Sequence, residues 1–245
     1  MISVVMPVYN GSAFLDVALS SIEDQHHSGL EVLLVDDGST DDLPLRAKHF
    51  APPVLYLRQD NRGPAAARNL GLRASRGELL AFLDADDRWA PGHLERLERA
   101  LSVHPESGIA QGLMQQFALN EDGSEQRSGP YRMPYLGSCL FRRWVFDRCG
   151  LLDESLQFGE DYDLMFRCWE HDIPKCHVEE VSLLYRRHAG NMTRGNDKLA
   201  HMVVLKRRLE RIRAGRVDPS QQRRALFQDY IGNTAEAHQW NPWSA

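Results

Sequence analysis

EVLLVDDGSTDD, residues Glu31–Asp42, joins an almost unbroken apolar run to an acidic turn. The run Glu31–Val35 lacks polar alternation, as expected of a strand covered on both faces. The turn after it offers Gly38 for a left-handed bend, with Ser39, Thr40 and Asp41 as candidate helix caps. Two runs of the same kind, Ser3–Met6 and Glu78–Leu83, end in PVYNG and DADD, and Val54–Arg58 supplies a further short strand. Helical patterns lie between the strands. Phe14, Leu15, Ala18, Leu19 and Ile22 recur at 3.6-residue spacing after a candidate cap at Ser12. Pro64 suits the first turn of a helix that continues through AAARNLGL, and a helix from about Pro91 to Val103 aligns Leu94, Leu97 and Leu101. This alternation predicts an α/β fold with a mostly parallel, doubly wound sheet flanked by helices, because parallel neighbours need crossover connections. Ligands of such sheets bind at the carboxyl ends of the strands, so PVYNG, DDGSTDD and DADD are expected to gather into one site.

After about residue 105 the pattern changes. IAQGLMQQFAL, a polar turn at Glu121–Ser124 and a Gly/Pro-rich stretch through Pro134 read as a hairpin or mixed-sheet extension. A strand at Ser138–Phe141, a helix near Arg143–Arg148, a helix beginning near Glu160 and a strand at Val181–Arg186 follow. Residues 197–240 read as helical, with a break near Pro219. The expected division is 1–105 and 106–195 as two halves of one domain, with 196–245 a helical tail.

The 245 residues include 29 Lys and Arg against 34 Asp and Glu, a net charge of −5 that argues against nucleic acid as a partner. The four cysteines include no C-x-x-C pair and read as reduced core thiols. MISVVMPVYN carries no basic leader, and no apolar run approaches the ~18 residues of a membrane span, so a cytoplasmic location is expected.

Three carboxylates in DADD, those of Asp84, Asp86 and Asp87, repel one another at a strand end, and turn formation does not offset that cost. A divalent cation would. Carboxylates alone are hard oxygen donors, which points to Mg or Mn with substrate phosphates completing the shell. A carboxylate in DDGSTDD could likewise accept the ring N–H of uracil, thymine or guanine. No nucleophile elbow and no Gly-x-x-x-x-Gly-Lys loop is present.

SVVMPVYNG, VLLVDDGSTDD, DNRGPAAARNLGL, FLDADD, FGEDYDLMFR and YRRHAGN resemble, in that order, the successive motifs of glycosyltransferase family 2, inverting enzymes of GT-A fold. The resemblance covers about residues 1–195. It implies transfer of a sugar from a nucleoside diphosphate donor, UDP- or dTDP-linked, to a hydroxyl of a saccharide or lipid-linked acceptor. Residues 1–105 would be the nucleotide-sugar-binding half and 106–195 the acceptor-binding half. By the same resemblance Pro7 and Tyr9 flank the base, Asp37 accepts its ring N–H, and Arg68 lies near the nucleotide. Asp84 stands near the ribose or the metal waters, Asp86 binds Mn or Mg directly, and His188 sits by the metal or the diphosphate. Asp161 is the implied base for the acceptor hydroxyl, supported by Glu160; both also begin a helix whose N-terminus favours ionised carboxylates. Asp87 is expected only to cap the next turn.

Two other classes fit parts of the chain. A phospho-receiver module would pair LLVDDG with Asp84, but a full strand and helix precede that segment and more than 150 residues follow it. A non-catalytic nucleotide-sugar binder of the same fold would keep the metal aspartates without needing Asp161. In the tail, residues 198–216 carry seven basic residues and one acid among apolar positions. Such a helix either packs on the core with a wet basic face or makes peripheral contact with the inner face of an anionic membrane. The oligomeric state has no sequence signal.

Overall fold

Three of the first four strands carry apolar runs that can be buried on both faces only inside a sheet, and the remaining one, half-exposed, forms its edge. In the computed structural model these are β1 (Ile2–Val8), β2 (Leu30–Asp36), β3 (Val54–Arg58) and β4 (Leu79–Phe82). They run parallel in the order β3-β2-β1-β4. The crossovers carry α1 (Ser12–Glu23), the single turn α2 (Leu43–Arg46) and α3 (Pro64–Ala74). The structure describes residues 1–46, 54–191, 197–218, 220 and 226–232.

Beyond β4 the sheet continues without a break, as the expected mixed extension. It passes through β5 (Arg88–Trp89), α4 (His93–Val103), β6 (Ile109–Leu119), β7 (Glu125–Arg127), β8 (Cys139–Arg142), α5 (Trp144–Cys149), α6 (Glu160–Glu170) and β9 (Lys175–Arg186). β8 runs antiparallel to both β4 and β6, β9 is parallel to β6, and β5 closes the far edge antiparallel to β9. One apolar layer lies on each face of this sheet, the first around Met6, Leu34 and Leu94, the second around Phe82, Phe141 and Met165. All four cysteines are reduced and buried.

Several boundaries differ from the expected ones for identifiable reasons. Ser12 is the first residue of α1 and not its cap; its N–H donates to the Asp41 carboxylate, whose other oxygen accepts from Leu43 N–H. One side chain therefore caps both α1 and α2 across the sheet end. α4 begins at His93 because Gly92 adopts φ 72°. β9 is twice the expected length, since pairing with β6 orders Lys175–Glu180 as well. In the tail, α7 spans Asp197–Arg213 and α8 spans Phe227–Ile231; the expected break at Pro219 lies outside the described residues.

Candidate functional site

All nine site residues expected from the sequence line one cavity of about 720 Å³ at the carboxyl ends of β1, β2 and β4. Pro7 is the last residue but one of β1 and Tyr9 follows the strand, Asp37 follows β2, and Arg68 comes from the second turn of α3. Asp84 and Asp86 follow β4, Glu160 and Asp161 open α6, and His188 follows β9. Five aromatic side chains, those of Phe14, Tyr135, Phe158, Tyr162 and Tyr185, also line the cavity.

The positive charge nearest the acidic cluster is Arg68. It is buried, with 4% of its surface exposed, so it is not a solvated helix charge. Its Nη2 donates to Asp84 Oδ1 and its Nη1 to Glu160 Oε1, both at 2.6 Å. α3 can deliver this side chain because Gly71, one turn on, lies against Val5, where a Cβ would come within 2.5 Å of the valine side chain. One guanidinium cannot neutralise every carboxylate around it. Burial holds Asp84 above its ordinary value despite the ion pair, with Asp86 and Glu160 adding repulsion, while the same carboxylates keep Arg68 firmly cationic.

Asp161 is also poorly compensated. Its Oδ2 accepts from Leu136 N–H at 3.2 Å, and its Oδ1 is buried with no partner. Burial raises its pKa from 3.8 to about 7, Glu160 and Asp84 pushing the same way, and Arg68 with the Leu136 amide opposing them. α6 starts here because Gly159 turns the chain at φ 83°.

Asp86 is held by the loop after β9. Its Oδ2 lies 2.9 Å from His188 Nε2 and 3.5 Å from Asn191 Nδ2. His188 Nδ1 accepts from Gly190 N–H, which places the ring proton on Nε2, toward Asp86. Asn191 ties the same loop to Arg186 O; it closes the quoted motif YRRHAGN and was not singled out from the sequence. Asp87 is not a cap. Buried, it accepts from Arg186 N–H and fastens β9 to the DADD turn. Among the described residues no three His, Cys, Asp or Glu side chains converge as a metal cage. Asp86 and His188 meet in one corner while Arg68 engages the Asp84 carboxylate, which leaves one carboxylate and one imidazole, oxygen and nitrogen donors of the kind a divalent cation accepts.

At the end of β2 the paired aspartates divide their work. Asp36, fully buried, accepts from Tyr56 Oη, Arg58 Nη1 and Ser39 N–H and locks the end of β2. Asp37 accepts from Gln59 Nε2 and from the N–H groups of Arg62 and Gly63, so its carboxylate shapes the 61–63 loop as well as facing the cavity. Tyr9 is 54% exposed and available as a lid over a planar ligand. The aromatic lining is gathered from four separate segments, Phe158 and Tyr162 both lying in FGEDYDLMFR, and no local spacing brings them together.

The family model described as Glycosyl transferase family 2 matches residues 3–150. An uncharacterized glycosyltransferase of Rickettsia prowazekii is 26% identical over 211 residues, covering 79% of this chain and 66% of that protein. One from Haemophilus influenzae is 40% identical over 106 residues, covering 39% and 40%. The chain thus spans less than two thirds of the length of these relatives. Among solved structures, S. aureus TarS in complex with UDP-GlcNAc superposes with a TM-score of 0.66 at 20% identity, covering 83% of this chain and 65% of that one. The mannosyltransferase PcManGT of Pyrobaculum calidifontis, in complex with GDP-Man and Mn2+, gives 0.66 at 20% identity, covering 89% and 66%. The fold is that of the GT-A glycosyltransferases.

Proposed function

The chain belongs to glycosyltransferase family 2, and from that premise we propose that it transfers a sugar from a nucleoside diphosphate, UDP or dTDP, to a saccharide or lipid-linked hydroxyl with inversion at the anomeric carbon. Neighbours of the same fold hold UDP-GlcNAc and GDP-Man, which supports a nucleotide sugar in the cavity and leaves the base to experiment.

The observation that carries the reading is the Oδ1 of Asp161, buried in the cavity wall without a partner on a carboxyl group near 7. A general base works best when its pKa lies near the operating pH. The acceptor hydroxyl donates its hydrogen bond to this oxygen and attacks the anomeric carbon from the face opposite the diphosphate. Asp161 takes the proton as the bond to the diphosphate breaks, so configuration inverts in one displacement. Glu160, pinned by Arg68, holds the first turn of α6 in place and keeps a negative charge beside the base. Asp37 and Tyr9 hold the nucleoside at the other end. Asp86, with Asp84 and His188 beside it, would hold a Mn or Mg ion; once bound, the ion neutralises the departing diphosphate. His188 must surrender its Nε2 proton to ligate it, so in the present arrangement it serves Asp86 as a hydrogen-bond donor.

The test is a panel of UDP-, dTDP- and GDP-sugars screened with Mn and with Mg, reading thermal stabilisation and slow donor hydrolysis. Stabilisation and hydrolysis by one nucleotide sugar name the donor. Stabilisation with no hydrolysis or transfer from any of them leaves a binder and sinks the enzymatic reading.

A further inference from the structure

We propose that the outward face of α7 docks onto an anionic lipid bilayer. The helix is two-faced. Its inner face packs Val204, fully buried, in one cluster with Tyr162 and Phe166. The basic side chains on that side are consumed within the protein. Arg211 pairs with Asp163 and Glu170, Arg208 with Glu170, and Arg207 with Asp153 and Glu210.

The outer face follows helical spacing through Met202, Leu205, Lys206, Leu209 and Arg213, with Arg216 one turn beyond the helix. Met202 is 67% exposed, and Leu205 and Leu209 about half exposed. Lys206, Arg213 and Arg216 are exposed and form no ion pair with the described residues. The one acid of α7 downstream of Met202 is Glu210, and it is already taken by Arg207. Three large apolar groups and three free cations thus share one surface of a chain whose net charge is −5. That combination matches the boundary between acyl chains and anionic headgroups, where apolar side chains enter and cations stay at the phosphates. A protein partner would have to bury the cations or supply matching acids. Among the described residues no helix is long and apolar enough to cross a membrane, so α7 would lie along the surface.

The location gives the contact a use. Tyr162 and Met133, which pack in the Val204 cluster, also line the cavity. Docking would therefore hold that wall of the cavity close to the bilayer, within reach of a lipid-linked hydroxyl. Only this last consequence rests on the transferase reading.

The full chain is sedimented with vesicles of phosphatidylcholine alone and of phosphatidylcholine with phosphatidylglycerol. Binding to the anionic vesicles only, weakened by added salt, is expected. Lys206→Glu with Arg213→Glu should lower that binding at least ~10-fold, and Leu205→Ser with Leu209→Ser should lower it at low salt too. All four side chains are exposed, so thermal midpoints and nucleotide binding should not change. No sedimentation with anionic vesicles, or binding that survives both double variants, overturns the proposal. Self-association in light scattering that is lost in the Leu variant, with no vesicle binding, would make the face a protein interface and overturn it as well. Because docking is read without any donor or acceptor, it can fail while the catalytic reading stands, and the reverse.

Discussion

Replacing Asp161 by Asn should make the protein more stable and less active at once, and both effects can be sized from its surroundings. The carboxyl group sits near 7 inside the fold against an ordinary 3.8. At ~1.4 kcal/mol per tenfold change in proton affinity, ionising it in place costs about 4 kcal/mol. The folded state holds a proton that the unfolded chain has already released, so this group lowers stability as pH rises from about 4 to about 7, and the full cost applies above that. Asn keeps an oxygen for Leu136 N–H and turns an amide toward the cavity, where Glu160 and Asp84 favour a donor. Urea unfolding followed by tryptophan fluorescence should find Asp161→Asn more stable by about 4 kcal/mol at pH 8 and by ~1.5 kcal/mol at pH 5. The gain must shrink as pH falls. Under the proposed mechanism turnover should drop ~10²- to 10⁴-fold while donor affinity holds. An Asp161→Asn protein no more stable than its parent at pH 8, or a gain independent of pH, refutes the account of a buried, uncompensated carboxylate. Near-normal turnover removes Asp161 from the chemistry even if the stability result stands.

Wild-type turnover should rise with pH and reach half its plateau near 7, as Asp161 ionises; a profile flat from pH 5 to 9 would place the base elsewhere. Arg68→Met leaves the buried Glu160 and the partly buried Asp84 without their cation and should cost ~3 kcal/mol in urea unfolding, whereas an exposed charge would cost almost nothing. Asp37→Ala should lose ~1–3 kcal/mol of UDP affinity with inorganic diphosphate plus metal nearly unaffected; equal weakening of both means that its contacts to Gln59, Arg62 and Gly63 are its whole contribution. UDP should stabilise the protein only with Mn or Mg present, and Asp86→Ala should remove that dependence more than Asp84→Ala, whose carboxylate is already paired with Arg68. Stabilisation that survives a chelator counts against the metal.

What could be read from the chain alone follows from short-range physics. Apolar runs without polar alternation can be buried only inside a sheet, and the loops at their carboxyl ends must then meet, which is enough to bring Tyr9, Asp37, Asp84 and Asp86 into one cavity. Gly38 and Pro64 marked a bend and a helix start for equally local reasons, and both stand where expected. The partners of those residues could not be read in the same way. Arg68 meets Glu160 across 92 positions and His188 meets Asp86 across 102, and nothing in local spacing selects one carboxylate over its neighbours. The division of the DD pair, Asp36 locked to Tyr56 and Arg58 while Asp37 faces the cavity, depends on where β3 lies beside β2. Whether residues 198–216 were a wet core helix or a basic surface depended on which of their cations found acids, and α6 decided that for Arg208 and Arg211 but not for Lys206 or Arg213. A carboxyl group near 7 is likewise a property of surroundings: the identity of Asp161 supplies the acid, and only packing that removes water from it and sets Glu160 and Asp84 beside it raises its proton affinity.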